Sequence, residues 1–342
     1  MASEHVQADV VVHFGDACLN LIQNLQAVYV FGKPFMDFDL IIQKFKERYP
    51  DEEQKVVLMA DAPYTRHLPE LYQRLKDTYK SIGFADINLQ RANNAKIVGF
   101  ESSKIPSRAT QRFSSRLLIT DQEVTEEDEL LEYDLFHITE PDSPHLLFLT
   151  TRFSSISIYE PNTGTINQGP FPSLMKRYRY MHISRTAGTI GILVNTLSLR
   201  NTTEMIKRVK DKIKEAGKKS YMFVVGKPNV AKLANFESIE VWCILGCGQG
   251  GIVLDTNNEF YRPIITPYEL ELALNPMVSW TGKWVTDFEN FLESEENADE
   301  ATEGSDSPST SLDGDDDEAP EFNPVTGKYV STSRPLRTIQ HL

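Results

Sequence analysis

An α/β fold of several small parallel-sheet domains is predicted by three features of the chain. Short apolar, β-branched runs alternate with amphipathic stretches at the helical period, the pattern of parallel strands joined by helices. The β–α blocks recur roughly every 35–50 residues, the size of small α/β units. The 342 residues, 40% of them hydrophobic, supply two or three packed domains of roughly 100–200 residues each.

The elements follow in order. Val10–His13 reads as a strand covered on both faces, because it is an unbroken apolar run. Val28–Phe31 is a second, ended by Gly32 and Pro34. Phe38, Ile41, Ile42, Phe45 and Tyr49 keep the helical period behind Asp37, which has the side chain of an N-cap. Val56–Met59 is a strand, Arg66–Tyr79 a helix, and the stretch from Asn88 to Glu132 is polar and weakly patterned. Strand-like runs return at Leu146–Thr150 and Ile156–Tyr159.

The second half repeats the scheme. Ser173–Ser184 is helical and Ile190–Asn195 a strand. Asn201-Thr202-Thr203-Glu204 has the form of a capping box opening a basic helix that runs to Lys218. Tyr221–Val225 is a strand, Asn229–Asn235 a short helix, and Val241–Leu245 a strand.

Charge divides the chain. The formal net charge is −14, yet Val285–Glu321 alone holds 15 acidic residues and no Lys or Arg, so the rest sums to +1. A near-neutral body with an acidic tail excludes a general phosphate-backbone binder, and no direct nucleic-acid role is expected. The Glu/Asp/Ser-rich tail buries too little apolar surface to order itself. A Tyr, Leu and Arg-bearing segment at 329–337 then suggests that the chain end docks back on a surface. No run approaches the roughly 20 apolar residues of a membrane span, and residues 1–5 lack the basic and apolar regions of a secretory signal. These features predict a cytoplasmic protein with no membrane partner.

Three cysteines, Cys18, Cys243 and Cys247, are too few for a disulfide scaffold. Cys18 and Cys247 each follow a predicted strand directly. Ligands of parallel α/β sheets gather at the carboxyl ends of the strands, so these two thiols are candidates to face one shared crevice and bind iron–sulfur or zinc. The other reading is that each is a small buried hydrophobe. Cys243, beside Trp242 and Ile244 inside an apolar strand, reads as core.

The segment Gly246-Cys247-Gly248-Gln249-Gly250-Gly251 formally contains G-x-G-x-x-G. A dinucleotide fingerprint needs a helix to open there, and strand-like Ile252–Asp255 follows instead. The glycines have another use: they let the backbone approach something bulky and offer amides to sulfur. Cys18 with His13 or His182 forms a weaker nucleophile pair, since Asp16 opposes thiolate formation. The cluster Lys176-Arg177-Tyr178-Arg179-Tyr180-Met181-His182 fits a nucleotide contact or, more simply, one packed and solvated helix face.

Five strings together resemble the diphthamide biosynthesis proteins: His13-Phe14-Gly15-Asp16-Ala17-Cys18-Leu19, Gly169-Pro170-Phe171-Pro172-Ser173-Leu174-Met175, Val225-Gly226-Lys227-Pro228-Asn229, Gly246-Cys247-Gly248-Gln249 and Ser331-Thr332-Ser333-Arg334-Pro335-Leu336-Arg337. The likeness is to the fungal second-subunit type and runs from about residue 4 to the end. It implies related α/β domains around a central iron–sulfur site. On that basis 1–28 is the remnant of a first domain, 29–165 a second, 166–284 a third, and 285–342 a mostly disordered acidic tail. The first subunit of such a complex uses a reduced [4Fe–4S] cluster to cleave S-adenosylmethionine. It moves the 3-amino-3-carboxypropyl group to a histidine of translation elongation factor 2.

The resemblance makes this chain a non-catalytic partner of subunit 1 in a heterodimer, one that helps keep the catalytic cluster reduced. The electrons come from a small metal-binding electron carrier and an NADH-dependent reductase. Cys18 and Cys247 match the family's ligand positions. The third ligand belongs to a cysteine motif preceding the first strand, which this chain starts too late to contain. The absence of cysteine from the middle region departs from the catalytic subunit and favours the second. The alternative implied role is a purely structural partner without its own cluster, and an independent nucleotide-dependent oxidoreductase is a third.

Overall fold

The computed structural model describes residues 6–19, 25–88, 95–98, 109–113, 115–120, 127–172, 174–195, 199–248, 250–275, 280–286, 321–323 and 328–330. The chain divides into two compact units, residues 1–172 with 198–200, and residues 173–197 with 201–342.

The first unit contains two sheets. In the smaller, β1 (Val10–Phe14), β2 (Gln26–Val30) and β5 (Ala95–Val98) lie parallel, with His13 opposite Tyr29 and Tyr29 opposite Ile97. The larger has seven strands in the order β10-β9-β8-β3-β4-β7-β6. At its centre β3 (Val56–Ala60) runs parallel to β4 (Ile82–Ile87) on one side and β8 (Asp134–Ile138) on the other. All five residues of β3 are buried, which is why its sequence is unbroken apolar rather than alternating. β9 (Ser155–Glu160) extends the parallel set. The edges are antiparallel: β10 (Thr165–Asn167) on β9, and β7 (Arg116–Thr120) with β6 (Ala109–Phe113) beyond β4. The sheet is therefore mixed. The antiparallel pair comes from the polar stretch 88–132, whose weak pattern hides it.

Helix α1 (Phe38–Arg48) opens where expected, the Asp37 carboxylate accepting from the amides of Asp39 and Leu40 at 3.1 Å. The helix expected over Arg66–Tyr79 is shorter, α3 (Leu68–Leu75), and is preceded by a short unpredicted helix, α2 (Ala62–Thr65), each with proline in its first turn. Ile41, Phe45, Leu68, Leu71, Leu75, Leu58, Phe84 and Phe136 join in one core between these helices and the sheet. Leu146–Thr150 is not a strand but the end of α4 (Ser143–Thr150). Pro144 starts that helix, and burial of Leu146, Leu147, Phe148 and Leu149 erases the amphipathic stripe that distinguishes a helix from a strand.

In the second unit β12 (Lys219–Val224), β11 (Thr189–Val194), β13 (Val241–Leu245) and β14 (Ile264–Ile265) form a parallel sheet in that order. Its helices are α5 (Leu174–Thr186), α6 (Thr202–Glu215), α7 (Val230–Ala234) and α8 (Pro267–Leu274). The capping box expected at Asn201 does not form: Asn201 is left-handed at φ +64° and its side chain caps nothing. Nor does α6 reach Lys218, because Gly217 turns the chain at φ +67°. A capping box opens α8, where Thr266 and Glu269 bond reciprocally. Ile252–Asp255 is irregular rather than a strand, with Asp255 at φ +49°. The hairpin β15 (Glu321–Asn323) and β16 (Lys328–Val330) pairs antiparallel. The rest of the expected acidic tail and docking segment lies outside the described residues. No helix among the described residues is long and apolar enough to cross a membrane.

Candidate metal centre

The two half-buried cysteines belong to different units, Cys18 to the first and Cys247 to the second. Both follow the carboxyl end of a parallel strand. After β1, Gly15 bends the chain at φ +84°, a conformation glycine adopts at no steric cost, and its amide donates to Val30 O at 3.0 Å. Asp16 Oδ1 then accepts from the Ala62 amide at 2.8 Å. Ala17 and Leu19, either side of Cys18, pack on a cluster of Ala27, Tyr29, Phe31, Ala62 and Ile87. The Tyr29 phenol is pushed up to about 12, chiefly by burial and then by the charge of Cys18.

His13 stacks on Tyr29 with ring centroids 5.1 Å apart. Its buried Nε2 has no hydrogen-bond partner, so it forms no base–nucleophile bond to Cys18 through that nitrogen. The stacking makes His13 part of the packing.

The Cys247 loop is built differently. A Cβ on Gly246 would stand 2.5 Å from Gly251 O, and one on Gly251 2.4 Å from the Cys247 amide nitrogen. One on Gly248 would stand 2.9 Å from Thr286 Oγ1. The bulky object these glycines admit is thus the chain itself, folded into a tight turn around Cys247. No helix opens after the loop, so the fingerprint lacks the amides that would hold a pyrophosphate. Cys243 faces the other way chemically. It sits in β13 between Ile192 and Ile265, fully buried, and burial drives its thiol well above the ordinary value, with Glu269 and Glu271 adding to the rise.

The basic, aromatic run on α5 is mostly structural. Arg177 is buried against Glu269, Lys176 Nζ donates to Asp255 O, and Tyr178 stacks on Trp280 at 5.7 Å.

Sequence reading missed one group. The strand order reverses at β3 and β8, the place in such sheets where crevices form. There Asp61 follows β3 and Thr139 follows β8, and the Thr139 hydroxyl donates to Asp61 Oδ2 at 2.5 Å. Burial and the neighbouring Asp16 push the Asp61 carboxyl up to about 7. Arg116, pulled below arginine's ordinary value by burial and opposed by the charges of Asp16, Asp61 and Asp86, donates to Thr65 Oγ1 and Ala60 O. His137 donates from Nδ1 to Thr139 O at 2.8 Å and is held down at about 3 by burial. The signal available in sequence was one polar residue directly after the apolar run of β3 and another after β8, whose own Asp134 and His137 obscure it.

As donors, the half-buried thiols of Cys18 and Cys247 suit a thiophilic metal, whereas Cys243 does not present itself. Among the described residues, no three His, Cys, Asp or Glu side chains cluster closely enough to hold a metal ion. Any iron–sulfur group would take further ligation from outside them.

The sequence profile of the diphthamide synthesis proteins matches residues 1–285. The chain belongs to the diphthamide synthesis family. Among family members, a Kluyveromyces lactis protein named 2-(3-amino-3-carboxypropyl)histidine synthase subunit 2 is 53% identical over all of this chain and 60% of its own length. A Debaryomyces hansenii protein of the same name is 53% identical over all of this chain and 59% of its own. This diphthamide synthesis chain thus spans about three fifths of the length of those relatives. The crystal structure of Dph2 from Pyrococcus horikoshii with a 4Fe-4S cluster shares the fold at a TM-score of 0.56 and 16% identity, over 83% of this chain and 76% of that one.

Proposed function

We propose that the chain is the accessory second subunit of the complex that transfers a 3-amino-3-carboxypropyl group from S-adenosylmethionine to a histidine of translation elongation factor 2. In this reading Cys18 and Cys247 each give a thiolate to a [4Fe–4S] cluster. The carrying observation is the 53% identity to proteins named as subunit 2 of that synthase, combined with two half-buried thiols at strand ends. The cluster, when bound, supplies single electrons for keeping the catalytic cluster of subunit 1 reduced. The chain's own residues provide the setting. Gly15 and the turn around Cys247 shape where each thiol leaves its strand, and Ala17 and Leu19 on either side of Cys18 pack on the apolar cluster that includes Tyr29. His13 is engaged in stacking on Tyr29 and its Nε2 bonds nothing, which favours ligation over a His13–Cys18 nucleophile pair. The working assembly then includes subunit 1, the elongation factor, a small metal-binding electron carrier and an NADH-dependent reductase, in the cytoplasm.

Iron and acid-labile sulfide analysis, with EPR of the dithionite-reduced complex prepared anaerobically with subunit 1, tests this. Loss of the second subunit's iron in Cys18→Ala and Cys247→Ala supports it. A complex that carries no iron on this subunit yet remains active points to the purely structural role.

A further inference from the structure

We infer that Asp16 is a positioning residue for the Cys18 thiol, acting as a hydrogen-bonded clip between the β1 loop and the start of α2. The inference rests on the reading of Cys18 as a ligand for its consequence, although the clip itself does not depend on it.

The first amides of a helix have no partner within it, and the residue before the helix normally supplies one with its side chain. Asp61 stands at that position before α2 and is of the right type, yet it makes no side-chain cap. Its carboxyl is turned instead to the Thr139 hydroxyl at the end of β8. An N-cap side chain serves the second or third amide in any case, so the amide of Ala62, the first of α2, takes its acceptor from elsewhere. Asp16 supplies it, 46 residues away in sequence and on the loop of a different sheet.

The contact is reinforced on both sides. Ala62 is buried, and Ala17 and Leu19, which bracket Cys18, pack on the same cluster. Buried Arg116, bonded to Ala60 O and Thr65 Oγ1 on either side of Ala62, feels the charges of Asp16, Asp61 and Asp86. With its neighbours packed and Asp16 tied, Cys18 leaves β1 in one direction. The tie adds to the packing of Ala17 and Leu19 in holding a loop that begins at a left-handed glycine.

Two substitutions separate the hydrogen bond from the charge. D16N keeps a side-chain oxygen that accepts from Ala62, whereas D16A keeps none, and both remove the negative charge. Iodoacetamide labelling of the full chain, read per cysteine by mass spectrometry, compares them. Cys18 labels about tenfold faster in D16A than in D16N, the factor that loss of one good hydrogen bond supports. Cys247 labels equally in both. Equal Cys18 rates in the two variants overturn the proposal. So does faster labelling of buried Cys243 alongside Cys18, which would show that Asp16 holds the whole fold rather than the loop. In the anaerobic complex, the EPR signal of this subunit is retained in D16N and lost or broadened in D16A. Absence of iron from the unmutated subunit would remove the ligand reading alone, and the labelling difference would still decide the role of Asp16.

Discussion

The Thr139 hydroxyl reaches from the end of β8 to Asp61 at the end of β3 in a 2.5 Å bond that favours the carboxylate but is outweighed by burial and a neighbouring acid. It ties two central parallel strands together at their carboxyl ends while the carboxyl it serves sits half-buried beside a second acid, Asp16. Burial and that neighbour raise Asp61 from an ordinary carboxylate to about 7. A carboxyl with a raised folded-state pKa binds its proton more tightly when folded than when unfolded. The resulting stabilisation is full below the unfolded value and is lost as pH rises through the folded one. Thermal melts of the chain should therefore fall between about pH 4 and pH 7 relative to Asp61→Asn, then run parallel above pH 7. A gap between the two curves that does not widen over that window would contradict the assignment.

Arg177 and Glu269 form a buried pair in the second unit, with Arg177 Nε 2.6 Å from Glu269 Oε1. Trp284 Nε1 donates to the same oxygen at 3.0 Å, and the Thr266 amide donates to Oε2 at 2.7 Å. One carboxylate thus accepts from an arginine, an indole and the start of α8. Removing one member of such a pair strands a charge without water. Arg177→Met should cost about 3–5 kcal/mol in urea unfolding, and Arg177→Met with Glu269→Gln should cost less than the two single changes added. Strict additivity would mean the pair is not coupled.

Much of this architecture is legible in the sequence, and the failures have physical causes. Val56–Met59 reads correctly because a strand buried on both faces needs no alternation, and Asp37 reads correctly because a cap acts within three residues. Leu146–Thr150 misleads because a helix buried all round loses its stripe. Asn201 has the letters of a capping box without the backbone conformation, while Thr266 and Glu269 have both. The strand-end positions of Cys18 and Cys247 are local facts, so they are readable. The bond from Asp16 to Ala62 and the one from Thr139 to Asp61 are not, since each joins loops 46 and 78 residues apart.

The turn around Cys247 gives a steric prediction. Because a Cβ at Gly246 or Gly251 would meet backbone rather than a flexible side chain, the turn has to open to admit it. Gly246→Ala and Gly251→Ala should each destabilise the second unit by about 1–3 kcal/mol. Each should also speed alkylation of Cys247 while leaving Cys18 unchanged. Unaltered Cys247 labelling in both variants would show that the loop accommodates a side chain and that its glycines have another purpose.

Cys243 supplies the control that separates a thiol used for packing from one used for binding. It is fully buried in β13 between Ile192 and Ile265, and its thiol is held protonated well past the ordinary range. A neutral thiol in an apolar strand is a poor metal donor, since ligation needs the thiolate. Serine in its place buries a hydroxyl among isoleucines. Cys243→Ser should cost about 1–3 kcal/mol in urea unfolding, leaving the iron content of the anaerobic complex unchanged. Cys18→Ser and Cys247→Ser should show the reverse, losing iron with little loss of stability in the metal-free chain, because both side chains are only half-buried. Iron loss in Cys243→Ser without any change in unfolding would reverse the two roles.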